Sequence, residues 1–187
     1  MKIVIIGATG NLGTKLIKYC YKKSIHIDSI TYFQNKKKAY FFKNNYGIKN
    51  CFCLNDKKEN DFFLKYISTN SINLIYFLDF GSGSLDYAYH FLKNNSKSVI
   101  AIANKEMLLA GGKILIKFIK KTSNTLIPLD SEHFSLLNSI TNTNYISKVY
   151  ITASGGPFYF KKHINLNNVN FKSVISHPKW KMGVNNS

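Results

Sequence analysis

Short apolar runs alternate with helix-period stretches over most of this chain. Residues 2–6 form a β-branched run, residues 27–33 a second and residues 51–54 a short third. Residues 72–78 are continuously apolar, as in a strand buried on both faces of a parallel sheet, and residues 98–103 and 125–129 complete the series. Between these runs apolar positions recur at helical spacing: Leu12, Leu16, Ile17, Tyr19 and Cys20, then a stretch opened by Lys36 to Lys38, then Phe62, Phe63, Tyr66 and Ile67. Further helices are expected over residues 87–92, over 107–121 with an interruption at Gly111-Gly112, and over 134–140. The alternation predicts an α/β fold, a doubly wound parallel sheet with right-handed crossovers. From about Lys148 the pattern changes. Residues 149–152 read as a strand, and after Phe158 a polar, Asn-rich stretch follows. A boundary near residues 142–147 divides the chain into a first domain, 1–145, and the start of an α+β second domain, 146–187.

A length of 187 residues suffices for one core, or for one domain and the beginning of another. With 45% hydrophobic and 14% aromatic residues the chain is expected to fold. The formal net charge of +17 would suit a nucleic-acid binder, yet all 26 basic residues are lysine. Arginine carries most bidentate base and phosphate recognition, so its absence argues against a dedicated reader of DNA. Lys, Asn, Ile, Phe and Tyr are all abundant, as A/T-rich codon usage in a bacterial genome would produce. The charge therefore reads as solvated faces, with no nucleic-acid partner. Three cysteines, Cys20, Cys51 and Cys53, form neither an even set nor a zinc pattern, which suits a reduced, cytoplasmic compartment. No apolar run reaches the roughly 20 residues of a membrane span. The strand pattern begins at Lys2, leaving no room for a signal peptide.

Gly7-Ala8-Thr9-Gly10-Asn11-Leu12-Gly13 lies directly after the first strand and opens a helix. The spacing is a variant of the dinucleotide fingerprint, so the first domain is expected to be Rossmann-like. Gly7 serves a tight turn, Gly10 lets backbone approach a pyrophosphate, and Gly13 lets helix and strand pack closely. The second strand ends Tyr32-Phe33-Gln34-Asn35-Lys36-Lys37-Lys38 with no acid to hold a ribose 2′-hydroxyl. Amide and cationic groups there favour NADPH over NADH.

In Pro128-Leu129-Asp130-Ser131-Glu132-His133 two carboxylates lie two residues apart where a strand meets a helix. On a strand such residues face one side and converge, and converging carboxylates call for a cation such as Mg²⁺ or Mn²⁺. Ser131 also suits a helix N-cap.

Gly7 to Gly13, Ala103-Asn104-Lys105-Glu106, Pro128 to His133, Thr152-Ala153-Ser154-Gly155-Gly156-Pro157-Phe158 and His177-Pro178-Lys179-Trp180-Lys181-Met182-Gly183 occur in that order. Together they resemble the 1-deoxy-D-xylulose 5-phosphate reductoisomerase family over residues 2 to about 183. The resemblance implies conversion of that sugar phosphate to 2-C-methyl-D-erythritol 4-phosphate in non-mevalonate isoprenoid biosynthesis, by skeletal rearrangement and then hydride transfer from NADPH. It implies that Asp130 and Glu132 ligate Mg²⁺ or Mn²⁺ and that Lys105 and Glu132 act in catalysis. Lys105, Ser131, Glu132, Ser154, His177 and Trp180 would bind substrate. Gly7, Thr9, Gly10, Asn11, Leu12, Gln34, Asn35, Asn104, Glu106 and Gly183 would bind cofactor. Trp180 and Met182 would belong to a covering flap, and the protein would form a homodimer.

The chain departs from the family at Phe33 and Gln34, where glycine and a basic residue are usual. After Gly183 only Val184, Asn185, Asn186 and Ser187 follow, so the family's Asn-Lys-x-x-x-Glu motif, with its third metal carboxylate, is expected to lie outside this chain. Three alternatives stand beside the leading reading. One is a truncated, non-catalytic NADPH-binding remnant. Another is a different Rossmann oxidoreductase, acting on aspartate semialdehyde or homoserine, which would leave Asp130, Glu132 and Ser154-Gly155-Gly156 unexplained. The third is a basic nucleic-acid-binding module.

Overall fold

The computed structural model of the chain describes residues 1–140, 146–151, 156–160 and 163–176. Six parallel strands, β1 (Ile3–Ile6), β2 (Ser29–Tyr32), β3 (Asn50–Cys53), β4 (Leu74–Phe77), β5 (Val99–Ile102) and β6 (Thr125–Pro128), form one sheet in the order β3-β2-β1-β4-β5-β6. Helices α1 (Asn11–Lys22), α2 (Lys36–Asn45), α3 (Lys57–Thr69), α4 (Ser84–Asn94) and α5 (Lys105–Lys120) make the crossovers, and α6 (Ser131–Ser139) follows β6. This is the doubly wound arrangement that the alternating pattern predicts.

The alternation of side chains along β1 explains the two layers. Ile3 and Ile5 pack with Ile17, Ile30 and Phe42 under α1 and α2. Val4 and Ile6 pack with Phe63, Phe77, Phe91 and Met107 under α3, α4 and α5. All four β1 residues are buried, which is why the run carries no polar alternation. Each fully buried Ile or Phe contributes about 1.5–3 kcal/mol.

The amino edge of the sheet is stitched by asparagines. Asn73 Oδ1 accepts from Lys2 N at 2.7 Å, Asn95 Oδ1 from Ile72 N at 2.8 Å and Asn124 Oδ1 from Ser98 N at 2.7 Å. Asp28, buried at the same edge, accepts from the Tyr66 hydroxyl and from Ser29 Oγ. These bonds satisfy polar groups that would otherwise cost about 1–3 kcal/mol each.

The chain separates into two compact units, Met1–Ser139 and Ile140–Ser187. In the second, a 3₁₀ turn (Leu166–Asn168) precedes α7 (Phe171–Val174), whose N-terminus is closed by reciprocal bonds between Asn170 and Ser173. Residues 149–151, expected as a strand, lie outside any strand, with no ladder partner among the described residues. A β-branched run becomes a strand only when a neighbour takes its hydrogen bonds. Among the described residues no helix is long and apolar enough to cross a membrane.

Candidate functional site

The strand order reverses between β1 and β4, and ligands of doubly wound sheets bind outside the carboxyl ends of the strands at such a point. Gly7 follows β1 with φ +79°, and a Cβ there would stand 2.7 Å from Asp79 N, just beyond β4. A Cβ on Gly13 would stand 2.6 Å from the Gly7 and Ala8 carbonyl oxygens, so α1 reaches the loop only because this position is glycine. The loop is pinned to β2, with Gly7 N donating to Thr31 Oγ1 at 3.2 Å and Ala8 N to Thr31 O at 3.0 Å. Gly10 caps α1 without any side-chain hydrogen bond, and the first turn carries no acid. The leading amides of α1 thus remain available to a phosphate.

Beside the loop a cleft of about 440 Å³ is lined by Gly7, Thr9, Gly10, Gln34, Asn35 and Asn55, among others. Asn35 caps α2 through Lys38 N at 3.1 Å. Lys38 Nζ crosses to Thr9 O at 2.9 Å, placing an ammonium between the glycine loop and the end of β2. Asn11 and Leu12, at the start of α1, are exposed.

At the end of β5, Asn104 is buried and caps α5, its Oδ1 accepting from Met107 N at 3.0 Å. Its Nδ2 donates to Gly81 O at 2.9 Å and reaches Asp79 Oδ1 at 3.4 Å. Asp79 also accepts from Ser84 Oγ. Burial pushes the Asp79 carboxyl above its ordinary value against these hydrogen bonds, and Glu106 adds to the rise. Glu106 Oε1 is buried with no hydrogen-bond partner among the described residues.

The two carboxylates converge, but not as strand neighbours. Asp130 stands between β6 and α6 and acts as the helix N-cap, its Oδ1 accepting from His133 N at 3.0 Å, while Glu132 lies in the first turn of α6. The cap expected of Ser131 is therefore made by Asp130, one residue earlier, where the side chain can reach the third amide of the helix. Ser131 Oγ instead donates to Glu132 Oε2 at 2.9 Å. Lys105, the first residue of α5, joins the acids: its Nζ is 2.8 Å from Asp130 Oδ2 and 3.4 Å from Glu132 Oε2. His133 Nδ1 lies 2.5 Å from Asp130 Oδ1. Burial alone would raise the Asp130 carboxyl, but the His133 backbone N–H, Lys105 and the His133 ring together hold it well below the usual carboxylate range. The Asp130 carboxylate facing it is the main reason the Lys105 ammonium titrates above its ordinary value. Asp130 Oδ2 is nevertheless buried without a hydrogen bond of good geometry; Lys105 answers it by proximity of charge.

Seen from the described residues, this is a two-carboxylate site: among them no three His, Cys, Asp or Glu side chains converge as a metal cage. The two donors are hard oxygens suited to Mg²⁺ or Mn²⁺, and the buried Asp130 Oδ2, without a hydrogen bond and faced by the Lys105 ammonium, is an atom that draws a cation. The glycine loop, the capless α1 and the unpartnered Glu106 Oε1 likewise fit a dinucleotide. Of the remaining sequence-predicted positions, Ser154, His177, Trp180 and Gly183 lie outside the described residues. Lys38 belongs to the cationic run that the sequence marks after β2, whereas Thr31 and Asp79 carry no sequence signal and act through contacts distant in sequence. His133 had a signal in its place directly after the acidic pair, but no role.

Residues 126–187 match the family model described as the 1-deoxy-D-xylulose 5-phosphate reductoisomerase C-terminal domain. Across 97% of this chain, the 1-deoxy-D-xylulose 5-phosphate reductoisomerase of Malacoplasma penetrans is 32% identical, and that of Pelagibacter ubique 31%. The chain belongs to the 1-deoxy-D-xylulose 5-phosphate reductoisomerase family. It spans about half the length of these curated relatives, 48% and 52% respectively. The reductoisomerase of Zymomonas mobilis, solved in complex with NADPH, shares the fold with a TM-score of 0.79 at 23% identity, over 95% of this chain and 52% of that one. A second solved reductoisomerase, in complex with NADPH, fosmidomycin and magnesium, gives 0.76 at 24% identity, over 98% and 52%.

Proposed function

We propose that this reductoisomerase-family chain carries the cofactor and metal part of a site that converts 1-deoxy-D-xylulose 5-phosphate to 2-C-methyl-D-erythritol 4-phosphate for isoprenoid synthesis. One observation supports it above the others. Three segments far apart in sequence, the glycine loop, Asn104-Lys105-Glu106 and Asp130-Ser131-Glu132, meet at the carboxyl edge of one sheet.

In this reading the amides at the start of α1, with Thr9, Gly10, Asn11 and Leu12, receive the cofactor pyrophosphate. Gln34, Asn35 and Lys38 face the adenosine 2′-phosphate, and Asn104 and Glu106 the nicotinamide. Asp130 and Glu132 hold Mg²⁺ or Mn²⁺. When bound, the cation supplies a Lewis acid for the substrate's adjacent oxygens, and NADPH supplies the hydride. Lys105 faces negative charge as it develops on the substrate, and Ser131 hydrogen-bonds substrate oxygens. Ser154 and His177 would take the phosphate, and Trp180, Met182 and Gly183 would cover the site and exclude water. The protein acts in the cytoplasm, and as a homodimer.

The test is substrate-dependent oxidation of NADPH, followed by absorbance, with Mn²⁺ present. Turnover that disappears in Asp130→Asn and Glu132→Gln supports the reading. Pure, folded protein that binds NADPH but never oxidises it with this substrate would leave the second reading, a non-catalytic NADPH-binding remnant. The two-carboxylate arrangement among the described residues is what keeps that second reading alive.

A further inference from the structure

We propose that Lys105 and a divalent cation compete for one oxygen of Asp130, Oδ2, so that metal entry releases the Lys105 ammonium from the acids. The inference rests on the metal reading above. It begins from the pairing at each oxygen. Asp130 Oδ1 is already occupied by the backbone N–H of His133 at 3.0 Å and by the His133 ring at 2.5 Å. The oxygen left to a metal is Oδ2, and Lys105 Nζ lies 2.8 Å from it. On Glu132, Oε2 faces Lys105 Nζ at 3.4 Å and also accepts from Ser131 Oγ, so the competition centres on Asp130 Oδ2. An ammonium that bridges both oxygens stands in the gap a metal–oxygen bond of about 2.0–2.1 Å would need. Two cations cannot share it.

The position of Lys105 makes it the one to move. It is the first residue of α5, where the helix dipole disfavours a positive charge. Its side chain is 46% exposed, whereas that of Asp130 is only 6% exposed. The carboxylates are therefore what holds the ammonium in place, and a cation that claims them leaves Lys105 on a long, solvated stem. By linkage, any ligand that draws Lys105 away from the acids tightens metal binding by the same factor that the metal tightens that ligand.

The test uses the full chain with its lysines reductively dimethylated with ¹³C, which keeps their charge. The Lys105 resonance is identified by its loss in Lys105→Met, and Mg²⁺ is titrated. The proposal expects that resonance to shift saturably with Mg²⁺ in the wild type. In Asp130→Asn it should already lie away from its wild-type position and ignore Mg²⁺. By Mn²⁺ spin-resonance titration, Lys105→Met should bind Mn²⁺ about twofold to fivefold more tightly than wild type, the range set by a half-exposed ion pair. Lys58→Met, which removes a charge from the exposed start of α3, should not. Binding of Mn²⁺ with an unmoved Lys105 resonance and unchanged affinity in Lys105→Met would overturn the competition and leave the metal reading intact. If Mn²⁺ bound neither wild type nor Lys105→Met, both would fall.

Discussion

Replacing Gly13 by alanine tests the closest approach in the cofactor half of the site. The added Cβ would lie 2.6 Å from the carbonyl oxygens of Gly7 and Ala8 and 2.7 Å from the Ala8 carbonyl carbon. These are backbone atoms, which cannot rotate aside, so α1 and the loop must separate. Overpacking costs about 1–3 kcal/mol, and contacts this short with atoms that cannot rotate put the cost at about 2–3 kcal/mol. Alanine's helix propensity returns about 1 kcal/mol. The net expectation is a loss of about 1–2 kcal/mol, or a fall of about 2–8 °C in Tm for a chain of this size. Gly112→Ala is the matched control. It is also a helical, buried glycine, but its Cβ would meet only the Leu108 side chain, at 3.7 and 4.0 Å, ordinary contacts. It should gain about 0.5–1 kcal/mol. Urea unfolding of both variants reads the difference as opposite shifts in midpoint at unchanged slope. A Gly13→Ala protein as stable as wild type, or two variants that shift in the same direction, would refute the packing argument.

Three more expectations follow from particular groups. Burial pushes the Asp28 carboxyl up, but hydrogen bonds from Tyr66 and Ser29 and the charges of Lys2 and Lys49 bring it below its ordinary value. A depressed folded value means stabilisation present above the unfolded value of about 3.9 and lost as pH falls through the folded one, so Asp28→Asn should flatten the acid limb of stability below about pH 4. Lys38→Met removes the ammonium between the glycine loop and β2, and NADPH affinity measured by nicotinamide fluorescence should fall more than NADH affinity; equal losses would mean the lysine serves only the loop. Burial raises the Cys51 thiol to about 11, so native protein at pH 8 should alkylate there far more slowly than urea-unfolded protein, as peptide mass mapping would read.

The sheet was legible because parallel strands buried on both faces announce themselves as apolar runs, and every expected strand of the first unit has its counterpart in β1 to β6. The observed strands are shorter, since residues such as Ile72 and Ser98 give their backbone N–H groups to asparagine side chains instead of to the ladder. Gly7 and Gly13 carried their roles in their spacing. The meeting of Asp130 with Glu132 was anticipated on the geometry of a strand, yet it arises from a helix cap and a first-turn acid drawn to one lysine. No local pattern encodes that, because Lys105 is 25 residues upstream of Asp130 and reaches it only through the pairing of β5 with β6. Thr31 and Asp79 are illegible for the same reason, and of Lys38 only the charge shows, not its bond to Thr9. Residues 149–151 read as a strand because propensity was the only guide there.

In the reading proposed above, the dinucleotide cleft and the Asp130–Glu132 pair belong to one site. Bound Mn²⁺ is paramagnetic, so its effect on the proton relaxation of bound NADPH reports their proximity directly. The nicotinamide protons should relax faster than the adenine protons, and this difference should be lost in a chain carrying Asp130→Asn and Glu132→Gln that still binds NADPH. Relaxation equal at both ends of the cofactor, or unaffected by the two substitutions, would contradict that reading.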